Sequence, residues 1–427
     1  MSAPATSERG VRPLCACGTT IALAMLAMAL LDPRERPCLF VASAVLAGSA
    51  YVLAFVWLPR IRAESRHALA MCLALAALWR VPFLVLPPRL SSDVYRYVWD
   101  GRLQRLGYNP YIVVPEDPGV AHLHTATTRR MENGWVPTIY PPAAELFFRG
   151  VTAVEESPRA MKAALLACDV SVAVMLLGWL AATGRSPWWV LAYAWNPLVA
   201  IEGGGNAHVD LLGTMCLTLV AWSLARRWTM LAAASFALAV AVKLLPAVLA
   251  PLLWRRVRLR DALVGTALLV GLYLPFVDGG RLPLGSVGQY LVYWRFNGPA
   301  FATLVQLVPP RRLAAVAVLI GFALAAWTRA KLPRDSADAW SWPIAATLVL
   351  APSVYPWYLL WLTPFLSGSA GFPLAVWTVS ILPTYVAFHV REATGEWIVP
   401  CWLVVVEYGS VAAAAVWVAA RRWRTAR

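Results

Sequence analysis

Apolar residues fall in long unbroken runs, separated by short polar breaks, along almost all of the 427 residues. A helix that crosses a bilayer needs about 20 such residues, within a range of about 17–25. Runs of this kind occupy 14–31, 37–58, 68–86, 160–182, 209–225, 262–277, 313–328, 372–388 and 399–420, with a slightly short one at 187–201. Two further runs, 230–254 and 340–366, are long but interrupted by proline, at 243–246 and 352–356. A single long polar stretch, 87–159, breaks the series. The pattern predicts an all-α, polytopic transmembrane helical bundle of 12–14 segments, forming one domain over 1–427.

Composition removes the alternatives. The chain is 60% hydrophobic and 14% charged, whereas soluble domains run at about 45–50% and 25%. Disorder requires the opposite bias. The net charge of +15 raises nucleic acid as a partner, but only Lys162, Lys243 and Lys331 of the 37 basic residues are lysine. The arginines sit in clusters between apolar runs, as in cytoplasmic loops, so no nucleic-acid partner is expected. The 22 tryptophans suit two interfacial belts. The seven cysteines, Cys15, Cys17, Cys38, Cys72, Cys168, Cys216 and Cys401, lie mostly in apolar runs at irregular spacing. They define neither a disulfide framework nor a metal site.

Charge also fixes orientation. Arg226 and Arg227, then Arg255 to Arg260, then Arg329 to Arg334, and finally Arg421 to Arg427 mark inside loops and an inside C-terminus. The run 230–254 has arginines at both ends, so it enters and returns to the same side. Parity gives the same result for 340–366. Both are read as hairpins of two short helices that turn near the outer face, a geometry tolerated at membrane depth only where it lines a cavity or is buried in protein. The first apolar run is read as a retained span, and both termini are placed inside. The polar residues Asp93, Asp100, Asn206, His208, Asp210, Lys243, Arg295 and Tyr355 then gather on the outer face.

Several of these residues can carry chemistry. After Ser91-Ser92, a helix ending near Gly107 puts Asp93, Arg96, Asp100 and Gln104 on one face. Its spacing describes an amphipathic helix at the outer interface, in which Asp93 either acts chemically or simply favours the helix dipole. Asn109-Pro110-Tyr111 and Tyr140-Pro141-Pro142 read as rigid turns. The turn Glu202-Gly203-Gly204-Gly205-Asn206-Ala207-His208-Val209-Asp210 permits close backbone approach. A sugar or phosphate contact and a structural turn are both open there. Lys243 stands in an apolar run, where a charge is a functional hypothesis with an anionic partner, against snorkelling to the interface. The segment Gln289 to Gly298 carries aromatic rings and Arg295, which suit a sugar ring and a phosphate or an interface belt. Pro352 to Tyr358 forms the second hairpin turn.

Taken in order, these segments resemble a known family: Ser-Asp-Val-Tyr-Arg-Tyr-x-Trp-Asp-Gly, Asn-Pro-Tyr, Tyr-Pro-Pro, Trp-Asn-Pro-Leu, Gly-Asn-x-His, Val-Lys-Leu-Leu-Pro, Trp-x-Phe-Asn and Pro-Trp-Tyr. The set is similar to the bacterial integral-membrane mannosyltransferases of the GT-C superfamily, near the GT87-like alpha-mannosyltransferases that use polyprenyl-phosphate mannose. The resemblance covers 68–388. Two helices (1–67) precede it, and a C-terminal helix with a basic tail (389–427) follows. It implies a bacterial inner-membrane enzyme whose active site faces outward, with Asp93 as catalytic base and Asp100 as second choice. It also implies an inverting single displacement from a polyprenyl-phosphate sugar to a glycolipid or polysaccharide acceptor. Relatives often carry His before Pro-Trp-Tyr, where this chain has Tyr355. Ser92 precedes Asp93, so the paired acids of metal-binding relatives are missing and neither metal nor cofactor is expected.

The chemistry is consistent with this. A phosphate departs without protonation, so one carboxylate suffices as base, whereas glycoside hydrolysis uses two facing carboxylates. Lys243, Arg295 and His208 are the candidates for the departing phosphate charge. Arg96, Asp100, Tyr140, Asn206 and Tyr355 are the candidates for the remaining substrate contacts. Arg96, one turn from Asp93, is expected to orient its carboxylate. The competing class is a transporter or lipid flippase, which would place polar groups along a midplane path and show symmetric halves. A glycan ligase would want a large, basic late outer loop.

Overall fold

The computed structural model describes residues 12–61 and 65–425. Arg427 of the basic tail lies outside them. Among the described residues, eight helices are long and apolar enough to cross a membrane: Pro13–Leu30, Pro37–Arg60, Arg66–Val85, Pro158–Ala182, Leu259–Phe276, Pro310–Lys331, Ser369–Thr394 and Cys401–Arg424. Shorter apolar helices run over Asp210–Ala225 and Thr229–Val242. The long helices leave large apolar side chains uncovered, among them Leu53, Leu263, Val270, Leu319 and Val405. Uncovered surface of this kind suits a hydrocarbon solvent and not water. The chain is a multi-pass membrane protein. Ser369–Thr394 is the exception among the spans, since it is mostly buried in the bundle. The run expected at 187–201 is broken into short helical pieces ending in a π-helical turn, Ala200–Gly205. The first two helices are built into the core: Tyr51 donates to the Ala192 carbonyl at 2.6 Å, and Phe55 packs edge-on against Trp189.

Both proline-broken runs fold back as hairpins. In the first, Thr229–Val242 stops where Lys243 becomes extended, and the chain returns as a 3-10 helix, Leu245–Leu253. Thr229 Oγ1 bonds to Asp261 at 2.5 Å, so both ends of the run lie together. In the second, Asp338–Val349 is followed by the 3-10 helix Pro356–Phe365. Trp340 stacks on Phe365, and Arg185 reaches both Asp335 and Ser367. Proline starts each returning arm, because it lacks the N–H that a continuing α-helix would need. The arginine clusters meet at one end of the bundle: Arg256 pairs with Asp335 at 2.9 Å, and Arg329 donates to the Trp254 carbonyl. Single cysteines flanking 230–254, placed in a background cleared of the native cysteines, are expected to react with impermeant reagent from one side and Lys243→Cys from the other. Flanks that label from opposite sides would rule out the hairpin.

The polar stretch folds over the opposite end. Its helix Asp93–Arg105 ends before Gly107, which takes a φ of +86° as expected of a glycine C-terminal stop. One expectation is overturned here. The helix is not an amphipathic ribbon at the interface, because Val94, Tyr95, Arg96, Tyr97, Val98, Trp99, Asp100, Leu103 and Gln104 are all buried. The helix Pro142–Val154 covers it on one side, and the loop between the two covers it on another. Gly101 permits the close crossing, since a Cβ there would lie 2.4 Å from the Phe148 carbonyl oxygen. Tyr97 stacks on Phe148 at 4.4 Å, and Arg102 and Arg105 both pair with Glu156. This clamp fixes where Asp93 points.

Candidate active site

The two hairpin turns, the start of the Asp93 helix and the outer loops enclose a cavity of about 610 Å³. Asp93 is in the first turn of its helix, and its side chain is 30% exposed into this space. Tyr140 OH donates to Asp93 Oδ2 at 3.4 Å, and His208 Nε2 lies 3.6 Å from the same oxygen. Tyr140 is held edge-on against Tyr97 and Phe148. Enclosure by protein pushes the Asp93 carboxyl above its ordinary range, and His208 in its protonated form, then Lys243, pull it only partly back. A carboxylate of raised basicity is better matched to taking a proton near neutral pH.

Three cations line the cavity with different partners. Lys243 Nζ bonds to Asp210 Oδ1 at 2.7 Å and sits 3.8 Å above the Tyr358 ring, a cation–π contact. The chain itself therefore supplies one anionic partner for the lysine, which does not snorkel unpaired: Asp210, one helix away, pairs with it. Trp361 Nε1 donates to the same Asp210 oxygen at 2.6 Å. It can do so because residue 213 is glycine; a Cβ there would meet the indole at 2.0 Å. Arg295 is held by the carbonyls of Trp294 and Leu291 and lies over Phe301, with no acidic partner among the described residues. Arg96 also lines the cavity.

Arg96 does not orient Asp93. Its Nε bonds to both oxygens of Asp100, at 2.9 and 3.0 Å, and its Nη1 donates to the Val136 carbonyl. Asp100 is fully buried behind the cavity wall and lines no part of it. Glu145 completes the set: burial, and then Asp100 beside it, push its carboxyl well up. Thr138 and Gln104 bond to its oxygens at 2.7 and 2.8 Å. Asp100 is thus a structural partner of Arg96. Asn206 is also removed from the substrate set, since it is buried away from the cavity, bonding to Glu202 at 3.0 Å and to the Leu90 N–H at 3.3 Å. His208 is wholly buried behind Asp93 and lines none of the cavity. It is therefore not placed to touch a phosphate there.

Tyr355 lines the cavity in a continuous aromatic stack. Phe296 lies 4.6 Å from Tyr355, Tyr355 4.5 Å from Trp357, and Trp357 4.0 Å from His208, all nearly parallel. Residue 355 is a tyrosine, and the imidazole in this stack, His208, comes from the glycine-rich turn. Sequence reasoning left Glu202, Asp210, Trp357 and Tyr358 outside the site. The signal for the first two was a pair of acids flanking a histidine at the end of a span, opposite a lone lysine.

The helical bundle thus holds a cavity in which Asp93, backed by His208, is the carboxylate without a lysine or arginine partner among the described residues. Residues 16–257, more than half of the chain, match the family model described as alpha-(1->6)-mannopyranosyltransferase, N-terminal domain, and the chain belongs to this family. It is a glycosyltransferase of mannosyltransferase type, acting between a sugar donor and an acceptor in a membrane setting. The match begins inside the first helix and includes Asp93, Tyr140, Glu202, His208, Asp210 and Lys243; Arg295 and Tyr355 lie beyond it. No curated protein and no solved structure matches at a significant level.

Proposed function

We propose that the enzyme moves a mannosyl residue from a polyprenyl-phosphate donor to an extracytoplasmic glycolipid or polysaccharide acceptor, by a metal-independent, inverting single displacement. The observation that carries this reading is the state of the carboxylates. Asp93, Glu132 and Asp210 line the cavity. Asp210 is tied to Lys243 and Glu132 to Arg391. Asp93 has no lysine or arginine partner among the described residues and is left to accept a proton.

In this scheme Asp93 takes the proton of the acceptor hydroxyl as that oxygen attacks the anomeric carbon. The phosphate leaves from the opposite side, toward Lys243 and Arg295, which supply the positive charge that a metal provides in other transferases. A lipid donor suits a cavity walled by hairpins at membrane depth, and needs no nucleotide-binding fold. The family's name suggests the alpha-(1->6) linkage for the product. The arginine-rich end of the bundle is placed in the cytoplasm of a bacterial inner membrane, with both termini, by the excess of basic residues there; the cavity then opens outward.

Two measurements test the reading. Purified full-length protein is expected to transfer label from polyprenyl-phosphate mannose to a short alpha-1,6-mannoside, with and without chelator, and not from a nucleotide-mannose. Transfer from the nucleotide sugar alone would overturn it. The pH profile follows from Asp93, which acts only when ionised. Since its carboxyl is held above the usual value, kcat/KM is expected to fall with acid at a pH clearly above the ordinary aspartate pKa of about 3.9.

A further inference from the structure

Behind Asp93 lies a set of buried groups that the scheme above does not use. Glu202 and His208 are both fully buried. Glu202 Oε2 stands 2.8 Å from His208 Nδ1, off the line of the N–H bond. Tyr385 donates to Glu202 Oε1, and Asn206 donates to Oε2 at 3.0 Å. On the other side of the ring, His208 Nε2 faces Ser91 Oγ at 3.1 Å and Asp93 Oδ2 at 3.6 Å. Trp357 stacks on the ring and fixes its plane.

The backbone is built to hold this arrangement. The π-helical turn Ala200–Gly205 widens the helix, and the His208 N–H bonds back to the Glu202 carbonyl at 2.8 Å. Ala207 takes a left-handed φ of +59° between them, a conformation that costs an alanine free energy. Irregular turns of this kind gather at functional sites. A carboxylate 2.8 Å from Nδ1 favours the ring proton on that side and so favours Nε2 as the acceptor facing Asp93.

We infer that Glu202 and His208 form a proton relay that empties Asp93 after each transfer; the inference rests on Asp93 being the base. The acceptor O–H bond breaks and its oxygen bonds to the anomeric carbon. The bond from that carbon to the donor phosphate oxygen breaks, and its electron pair stays on the phosphate. The proton passes to Asp93 and from there to His208 Nε2. The resulting imidazolium is balanced by Glu202, and its Nε2 proton passes to Ser91 Oγ, 3.1 Å away, whose own hydroxyl proton goes to water in the cavity that Ser91 lines. The 3.6 Å gap between Asp93 and His208 has to close by about half an ångström to become a hydrogen bond. Such contacts commonly tighten in the reacting complex. The other titratable and charged groups set around Asp93 are Asp210, Lys243, Glu132, Tyr97 and Tyr140, with Tyr385 beyond Glu202. None of them offers a second free nitrogen base to Asp93.

The test uses His208→Gln and Glu202→Gln in the full-length protein, with polyprenyl-phosphate mannose and a short alpha-1,6-mannoside. Both should lower kcat by about 10²-fold while the donor KM stays unchanged. In His208→Gln the acid limb of kcat/KM should move to higher pH, because the imidazolium form of His208 is the charge that most holds the Asp93 carboxyl down. A packing defect would lower the rate without moving that limb. In an Asp93→Asn background, His208→Gln should cost nothing further. Glu202→Gln retains partners for Tyr385 and Asn206, so it serves where His208→Gln does not fold. Wild-type kcat in a folded glutamine variant, or losses that multiply with Asp93→Asn, would overturn the relay. Full turnover in Asp93→Asn itself would overturn the base assignment instead.

Discussion

Asp93→Asn, purified at full length, is expected to lose about 10²–10⁴-fold in kcat, the usual worth of general-base catalysis, and to bind donor as before. The substitution keeps the size of the side chain and its place beside Tyr140 and His208, but an amide cannot take the acceptor proton. Asp100→Asn provides the contrast. Asp100 lies behind the wall, paired with Arg96 and propped by Glu145, so its loss should appear as lower stability of the folded protein, with turnover per folded molecule largely kept. A dead but well-folded Asp100→Asn, or an Asp93→Asn that turns over near the wild-type rate, would reverse the assignment.

Lys243→Ala is expected to raise the donor KM by about 10–100-fold, the equivalent of losing a hydrogen bond between charged groups worth about 1.5–3 kcal/mol. Acceptor KM should change little. The same substitution also strips Asp210 of its counter-charge. Asp210 is only 2% exposed at its side chain, and breaking a buried ion pair from one side typically costs about 3 kcal/mol of stability. Affinity and stability can be separated. A Lys243→Gln/Asp210→Asn double variant should recover stability, because no buried charge is left unpaired, yet keep the high donor KM. Lys243→Arg should restore donor binding only in part, since a planar fork replaces a compact ammonium between Asp210 and the Tyr358 ring. Unchanged donor KM in Lys243→Ala would leave the lysine as a structural partner of Asp210 alone.

Much of the architecture is legible because the bilayer imposes it. Long apolar runs can only be spans, and arginines bracketing 230–254 can only mean a return. The structure closes that run through Thr229 and Asp261. Asp93 could be placed at the outer end because it follows directly on a span. Its partners could not be. Helical spacing puts both Asp93 and Asp100 within reach of Arg96, and the structure pairs it with Asp100, which is buried beside Glu145 of the next helix. The expected amphipathic face failed for the same reason. A polar stripe reads as solvent-facing unless one knows that Gln104 and Asp100 meet a second helix. Asp210 could not be named as the anionic partner of Lys243, because it precedes the lysine by 33 residues and a whole helix. The contacts of Asp210 with Trp361, and of Glu202 with Tyr385, span 151 and 183 residues. A single sequence carries no local mark of such pairings. The glycine-rich turn was visible, but the π-helical widening that aims His208 at Asp93 was not, because three glycines permit many backbones.

The central claim is a direct attack on the donor's anomeric carbon, with Asp93 as base and no covalent sugar intermediate on the enzyme. It is tested most directly by the anomeric configuration of the product. Purified protein would be given polyprenyl-phosphate mannose labelled with carbon-13 at the anomeric carbon, with a short mannoside acceptor, and the new linkage read by NMR. The account predicts a configuration opposite to that of the donor, with one polyprenyl phosphate released per sugar transferred. A product that retains the donor's configuration, or a mannosyl group trapped on the protein, would contradict it.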